Sequence, residues 1–337
     1  MNPYFDDSSQ KVIASMRDTP NAADYRWPAP AKLNLFLHVI GRRPDGYHNL
    51  ETVFQFVDFG DDLTLRVRRD GEIRRISDLP GVAPEGDLVV RAAKVLKSQA
   101  ATPLGVDISV TKRIPLGGGL GGGSSDAATT LVGLNHVWGL GLGVQTLAEI
   151  GLGLGADVPV FVRGQASFAS GVGEDLTPMA FEEPWYVVIY PGCSVATREI
   201  FDAPDLTRAT PPIKMRALPG GDVDEDSPLS LSSLLAGTKN DCEAAVCRRY
   251  PKVSAALEWL ARFDTRSTDP RMTGTGSCVF APFRELSEAK RVLSRLRNIG
   301  ETGGRRERAA RTEGWLGFVA RGRNRSPLFG GYPGDVI

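Results

Sequence analysis

The sequence contains few of the residues that build metal centres and disulfide frameworks. Three histidines and four cysteines occur among 337 residues, and no two cysteines have the CxxC spacing of a zinc or redox site. The histidine count argues against a histidine-rich metal site. The scattered cysteines are typical of free thiols in a cytoplasmic protein.

Neither sign of charge is in excess, and long apolar runs are missing. Forty Lys and Arg residues balance forty Asp and Glu residues, so no net field attracts nucleic acid or an anionic membrane. No stretch approaches about 18 consecutive apolar residues, and the first 25 residues are polar, which argues against a membrane span or a signal peptide. We therefore predict a cytoplasmic protein with no nucleic-acid partner and no membrane partner.

Glycine, by contrast, is concentrated in one place. Six of the seven residues 117–123 are glycine, followed by Ser124, Ser125 and Asp126, each a good helix N-cap. Apolar residues at helical spacing over 127–138 predict a helix directly after them. A loop without Cβ atoms that enters a helix N-terminus favours an anion site, and the phosphate tail of a nucleotide fits it best. A flexible linker is the alternative.

Two segments near the start of the chain present polar side chains in patterns that suit a small-molecule site. Alternation over 29–40 predicts a strand with Lys32 and Asn34 side by side on one face. A substrate site and a solvated sheet edge both fit this pattern. The turn at 42–46 leads into Tyr47 and His48, which suit a planar ring, although plain hairpin decoration fits as well.

Asp157 lies between a predicted helix over 144–154 and an apolar run over 158–162 that predicts a strand. The pattern favours a helix-cap carboxylate there, with a working carboxylate as the alternative. A second glycine-rich turn enters a strand at 271–280, and a loop is predicted at 197–201. An exposed excursion is expected over 203–233, and a basic mobile loop over 297–313 that lacks the aromatics of a nucleic-acid patch.

The remaining pattern predicts alternating helices and strands. Helices are expected over 88–101, 240–250, 253–263 and 286–296. Strands are expected over 49–57, 63–68, 106–110, 185–190 and 317–320, with a turn at 58–62 and a hairpin over 166–176.

Five of these segments occur together, and in order, in one known family. They are Pro30–Leu35, Pro44–His48, Pro115–Ala128, Gly155–Pro159 and Thr273–Ser277. With them the chain resembles the GHMP small-molecule kinases from about Trp27 to Leu328. The N-terminal extension and the basic insertion over 297–313 depart from the family pattern.

The resemblance implies an α+β, two-domain GHMP kinase fold. Residues 1–26 lie outside the resemblance, and their content of Asp, Ser and Asn predicts a disordered extension. Residues 27–182 would form an ATP-binding N-terminal domain like ribosomal S5 domain 2, and residues 183–330 a ferredoxin-like α/β C-terminal domain. A monomer or a weak homodimer is expected.

The resemblance also implies the roles of the glycine loop and of two charged residues. Asp157 would act as the base on the substrate hydroxyl, with Lys32 beside it to keep the aspartate ionised. Mg²⁺ would accompany ATP, with Ser124 or Ser125 as its candidate contacts. The implied ATP-binding residues are Pro115, Leu116, Gly117, Gly118, Gly119, Leu120, Gly121, Gly122, Gly123, Ser124 and Ser125.

The acceptor implied by the resemblance is a cytidyl diphosphate of the non-mevalonate isoprenoid pathway. Tyr47 would stack on cytosine, His48 would read a polar edge, and Phe201 would cover the other face, with Asn34, Phe54 and Thr197 nearby. A GHMP kinase for a sugar, homoserine or mevalonate is the nearest alternative. A non-catalytic nucleotide or sugar sensor on the same fold is the other.

Overall fold

The computed structural model describes residues 24–79, 81–213, 230–263, 269–298 and 314–329, and in them strands and helices combine as the predicted α+β class requires. The strands are β1 (Tyr25–Arg42), β2 (His48–Arg68), β3 (Ile73–Arg75), β4 (Gly105–Thr111), β5 (Ser167–Ser170), β6 (Asp175–Pro178), β7 (Trp185–Tyr190), β8 (Arg271–Met272), β9 (Val279–Phe283) and β10 (Leu316–Arg323). The helices are α1 (Leu88–Ala100), α2 (Gly122–Val137), α3 (Val144–Leu152), α4 (Val158–Arg163), α5 (Thr197–Phe201), α6 (Leu231–Ala236), α7 (Glu243–Arg249), α8 (Pro251–Leu260) and α9 (Leu286–Asn298).

The first two strands form a long antiparallel hairpin that carries much of the site. Lys32 pairs with Phe56 and Arg42 pairs with His48. The turn predicted at 58–62 is wrong, because β2 runs through it to Arg68. Its polar residues find partners in the fold, since the buried Asp61 carboxylate accepts hydrogen bonds from the backbone N–H groups of Arg113 and Ile114.

The described strands join into one sheet that runs through both halves of the chain. Its order is β3-β4-β2-β10-β7-β9-β8, with β1 and β5 paired to β2 and β6 paired to β5. Strand β10 connects the halves, since it pairs with β7 along its length and with β2 at Gly322 and Arg323.

Three clusters of buried apolar side chains cover this sheet. One joins β2 to the helices α1–α4, through residues such as Leu65 and Leu131. A second includes Leu260 of α8 and lies against β7 and β9. The third contains both Leu33 of β1 and Tyr186 of β7, so it crosses the predicted domain boundary between residues 182 and 183.

Most predicted helices and strands are present within a few residues, and besides the turn at 58–62 three local predictions are wrong. The apolar run after Asp157 forms helix α4 instead of a strand, because a short fully buried run has no periodicity to distinguish the two. Residues 197–201 form α5 instead of a loop. Helix α2 begins at Gly122 with Gly121 as its N-cap, so Ser124, Ser125 and Asp126 lie inside the helix instead of capping it.

Several predicted segments lie partly or wholly outside the described residues. These are the extension up to residue 23, the part of the 203–233 excursion over 214–229, and the basic insertion beyond residue 298. Strand β1 begins at Tyr25, so it includes the last two residues of the predicted extension. No helix in the described ranges has the length and apolarity needed to cross a membrane.

Candidate active site

Lys32 and Asp157 meet although 125 positions separate them in the chain. The Lys32 Nζ atom lies 3.3 Å from Asp157 Oδ2, and the lysine side chain is 4% exposed whereas that of the aspartate is 35% exposed. Asp157 precedes α4 but makes no side-chain cap hydrogen bond, so the predicted cap role is wrong. The carboxylate is therefore held by the lysine and open to solvent on its other side.

The lysine itself is fixed by β1, β2 and the glycine loop. Its ammonium donates to Asn34 Oδ1 at 2.5 Å and to the Gly119 carbonyl oxygen at 3.1 Å, and it lies 5.3 Å from the centroid of the Phe54 ring. Asn34 Nδ2 donates to Thr52 Oγ1 at 2.9 Å. Asn34 and Phe54, both predicted as substrate contacts, are 3% and 2% exposed. In the structure both side chains are buried next to the Lys32 ammonium.

The glycine loop needs its glycines where it contacts the second glycine-rich turn. Gly119 has a φ of +75°, and a Cβ atom there would lie 2.3 Å from the Thr273 carbonyl oxygen and 2.9 Å from that of Gly276. The Cys278 N–H donates to the Gly118 carbonyl at 3.0 Å. The two glycine-rich segments, more than 150 residues apart, thus lie directly against each other.

Some of the other predicted ATP-binding residues lie at the exposed entrance of the glycine loop, and others lie at its buried end. Leu116 is 49% exposed at the entrance of the loop, whereas Leu120 is buried and its carbonyl accepts the Lys32 backbone N–H at 3.1 Å. Gly122 and Gly123 form the first turn of α2, whose leading N–H groups have no partner within the helix. This turn offers N–H donors and a positive dipole end to an anion. Pro115 and Gly117 complete the loop.

The two serines of this turn differ in what they can still bind. Ser125 is fully buried, and its Oγ donates to the Pro30 carbonyl at 2.6 Å, which ties α2 to β1. Ser124 is half-buried, and its Oγ lies 3.8 Å from the position a Cβ would take at Gly155, next to the Asp157 segment. Among the described residues, no three His, Cys, Asp or Glu side chains form a group that could hold a metal. Of the two hydroxyls, that of Ser124 is the one left to contact a metal ion carried by phosphate oxygens.

A buried cluster of charges below the loop was missed by the sequence reasoning. Lys112 Nζ donates to Asp126 Oδ2 at 2.7 Å and also to Asp61. Burial raises the pKa of Asp126 to about 7, with Lys112 opposing the rise and Asp61 adding to it. Burial disfavours the Lys112 ammonium, but the two carboxylates outweigh it and raise its pKa. No local pattern indicates the cluster, because Asp61 approaches only through the sheet.

At the other end of the hairpin, His48 and Phe201 are stacked. Their ring centroids lie 5.1 Å apart with an interplanar angle of 21°, while Tyr47 beside them is 65% exposed. Arg208, which the sequence reasoning did not identify, donates from Nε to His48 Nε2 at 3.2 Å. The sandwich of cytosine between Tyr47 and Phe201 stays a prediction.

Burial and nearby cations disfavour the charged form of this imidazole, and a threonine links the region to the second glycine-rich turn. Burial is the main cause that lowers the pKa of His48, followed by the Arg208 and Arg42 guanidinium groups, with Asp202 opposing them. Thr197 Oγ1 lies 2.9 Å from Thr275 Oγ1 in the second glycine-rich turn. The structure therefore brings Thr197 to the second glycine-rich turn and leaves His48 and Phe201 stacked on each other.

Comparison with known proteins gives two matches to family models. Residues 87–165 match the GHMP kinases N terminal domain, and residues 230–302 match the GHMP kinases C terminal domain. The chain is 52% identical, over 89% of its length and 95% of the relative's, to 4-diphosphocytidyl-2-C-methyl-D-erythritol kinase of Pseudomonas syringae pv. syringae (strain B728a). The same-named kinase of Halorhodospira halophila (strain DSM 244 / SL1) is 50% identical, over 90% of this chain and 94% of the relative.

Solved structures agree with these sequence matches. A crystal structure of 4-(cytidine 5'-diphospho)-2C-methyl-D-erythritol kinase superposes with a TM-score of 0.68 at 30% identity, covering 88% of this chain and 99% of that one. Homoserine kinase from Cytophaga hutchinsonii, at 15% identity and a TM-score of 0.62 over 92% and 97% of the two chains, shares the fold. The predicted GHMP kinase fold is confirmed. The chain belongs to the 4-diphosphocytidyl-2-C-methyl-D-erythritol kinase family and is an ATP-dependent small-molecule kinase.

Proposed function

We propose that the chain transfers the γ-phosphoryl group of ATP to the 2-hydroxyl of 4-diphosphocytidyl-2-C-methyl-D-erythritol, in the non-mevalonate isoprenoid pathway. The observation that carries the proposal is the Lys32–Asp157 pair, 3.3 Å apart, held against the glycine loop. The relatives of that name, 50–52% identical to this chain, supply the choice of substrate.

Asp157 is the proton acceptor in this proposal. Its carboxylate is 35% exposed and makes no cap hydrogen bond, so one side can receive the hydrogen of a bound hydroxyl. As the proton leaves, negative charge grows on the attacking oxygen. The Lys32 ammonium, next to the carboxylate, stabilises that charge without moving.

The glycine loop and the start of α2 receive the triphosphate. Phosphoryl transfer asks the protein for alignment and charge stabilisation more than for covalent chemistry. Lys32 contributes to alignment as well, because its bond to the Gly119 carbonyl couples the base to the loop that covers the phosphates. Mg²⁺, when bound with ATP, neutralises phosphate charge, and Ser124 is the side chain of this chain that would contact it.

The cytidine end supplies binding energy far from the reacting hydroxyl. Tyr47 is free to stack on a base because it is 65% exposed, and such stacking contributes about 1–3 kcal/mol per base. His48 would read the polar edge, and Phe201, packed on His48, would complete the pocket. Remote binding of this kind orients a small, flexible acceptor.

Three features stay predictions about the whole protein. They are the cytoplasmic location, the monomer or weak homodimer, and the division into domains at residue 183. A sugar, homoserine or mevalonate kinase remains the rival activity, because solved structures of such kinases share the fold at 15% identity or less. Those acceptors contain no nucleobase, so they would leave a base-stacking site empty.

A coupled ADP-release assay with Mg-ATP tests the proposal against a panel of the cytidyl diphosphate, galactose, homoserine and mevalonate. Turnover is expected with the cytidyl compound alone. Asp157→Asn should lower kcat by about 10²–10⁴-fold, because the base is lost while the side-chain shape is kept. Asp70→Asn, at an exposed ion pair with Arg68, is the matched control and should leave kcat unchanged.

Two results would contradict the proposal. An Asp157→Asn variant with wild-type kcat would remove that residue from the chemistry. Turnover of another acceptor would keep the fold and reject the cytosine site, and ATP binding without any turnover would favour the sensor.

A further inference from the structure

Arg208 joins the two side chains that form the base end of the site. Its Nε donates to His48 Nε2 at 3.2 Å, and its Nη2 donates to the carbonyl oxygens of Phe201 at 2.8 Å and Ala203 at 2.6 Å. Its Nη1 donates to the Leu206 carbonyl at 3.3 Å. One half-buried guanidinium therefore fixes the end of α5 relative to the imidazole.

The contact with His48 determines where the imidazole carries its proton. A guanidinium has five N–H donors and no acceptor, and it stays protonated in proteins. The ring nitrogen that faces it must therefore present a lone pair. In a neutral imidazole the proton then resides on Nδ1, and the hydrogen bond from Arg208 is the one that the described residues make to this ring.

Two further observations support a fixed, neutral ring. The stack with Phe201 at 5.1 Å holds the plane of the imidazole. Burial and the nearby Arg208 and Arg42 lower the pKa of His48, so the neutral form is favoured near pH 7.

We propose that Arg208 is a positioning residue that holds His48 as the Nδ1–H tautomer, and that this donor selects a pyrimidine whose N3 is an acceptor. Cytosine has an acceptor at N3, whereas uracil has a donor there. A site that donates a hydrogen bond to N3 rejects a base with a donor at N3, because the two donors face each other and are left unpaired. The inference rests on the proposed function, since it assigns His48 to the base of that substrate.

A direct role for Arg208 on the diphosphate is the competing explanation. Four of its five N–H donors already bind the protein, which leaves one for a ligand. A phosphate contact would affect all nucleotides of the same charge alike, whereas a tautomer effect depends on the base.

Two measurements separate these roles. The first is ¹⁵N NMR of histidine-labelled protein, in which His48 is identified with a His48→Gln variant among three histidines. The wild type should carry its proton on Nδ1, and Arg208→Met should shift it toward Nε2. Arg66→Met, at an exposed ion pair with Asp24, is the control and should leave the His48 signals in place.

The second measurement is kcat/KM for the cytidyl substrate and its uridyl analogue. Arg208→Met should lower the cytidyl value by about 3- to 10-fold, the worth of one hydrogen bond, without lowering the uridyl value or changing the KM for ATP. Equal losses for both bases would overturn the proposal in favour of a phosphate contact. A wild-type His48 with its proton on Nε2 would overturn it even if the variant fails to fold. If neither base is phosphorylated the proposed function fails, while the NMR result still decides the tautomer.

Discussion

Replacing Lys112 with methionine tests whether the buried charge cluster supports the start of α2. The ammonium bonds two carboxylates, and the side chains of Asp61 and Asp126 are 0% and 7% exposed. Removing one partner of a buried ion pair usually costs about 3–5 kcal/mol, because a buried charge is left without compensation. Without Lys112, the Asp61 carboxylate still accepts hydrogen bonds from the backbone N–H groups of Arg113 and Ile114. The carboxylate left without compensation is therefore mainly that of Asp126.

Asp126 can relieve that cost by taking up a proton, which makes the effect depend on pH. In the wild type its pKa is raised to about 7 from an ordinary 3.8. Between these two pH values the folded state therefore keeps a proton that the unfolded state has released. The contribution of Asp126 to the free energy of unfolding falls as the pH rises through this range and is constant above it. Without Lys112 the pKa rises further, so the fall continues above pH 7 at up to about 1.4 kcal/mol per pH unit.

Urea unfolding of wild type and Lys112→Met at about pH 6 and about pH 8.5 measures this difference. We expect the destabilisation to grow by up to about 2 kcal/mol between the two conditions, the product of that slope and the interval above pH 7. Adding Asp126→Asn to Lys112→Met should remove most of the pH dependence. Equal destabilisation at both pH values, with no rescue by the second substitution, would refute the reasoning.

Two other substitutions test the loop and the base site. Gly119→Ala should raise the KM for ATP by about 10-fold, because its Cβ would lie 2.3 Å from the Thr273 carbonyl at a φ of +75° and force the two glycine segments apart. Gly143→Ala, with φ −70° and no atom within 4 Å of the new Cβ, is the control, and an equal KM change in both variants would contradict this account. Tyr47→Ala should raise the KM for the cytidyl substrate by about 5- to 100-fold, the range of one lost base stack, and leave the KM for ATP unchanged. A matching change in both KM values would mean that Tyr47 acts on the fold instead.

Local patterns predicted the elements whose signal is contained in a few neighbouring residues. Helix α1 and strand β7 lie within one residue of their predicted bounds, because their periodicity and end signals agree. Alternation on β1 placed Lys32 beside Asn34, and the two side chains are hydrogen-bonded. These are short-range facts that need no knowledge of the rest of the chain.

Contacts between distant segments could not be derived in this way. The pattern around Asp157 favoured a cap, and only the family resemblance joined it to Lys32. Asp61 looked like part of a turn, because nothing near it in the sequence shows that Lys112 will reach its carboxylate through the sheet. Arg208 was missed for the same reason, since its partner His48 lies 160 positions away.

The pairing of β10 with both β7 and β2 has a mechanical consequence. Because Gly322 and Arg323 extend the sheet onto β2, the two halves of the chain share a backbone ladder in addition to their covalent connection. Opening a cleft would break that ladder together with the Cys278–Gly118 hydrogen bond. Entry of ATP and exit of ADP would then depend on local motion of the glycine loop, while the β10 amides stay protected from hydrogen exchange during turnover.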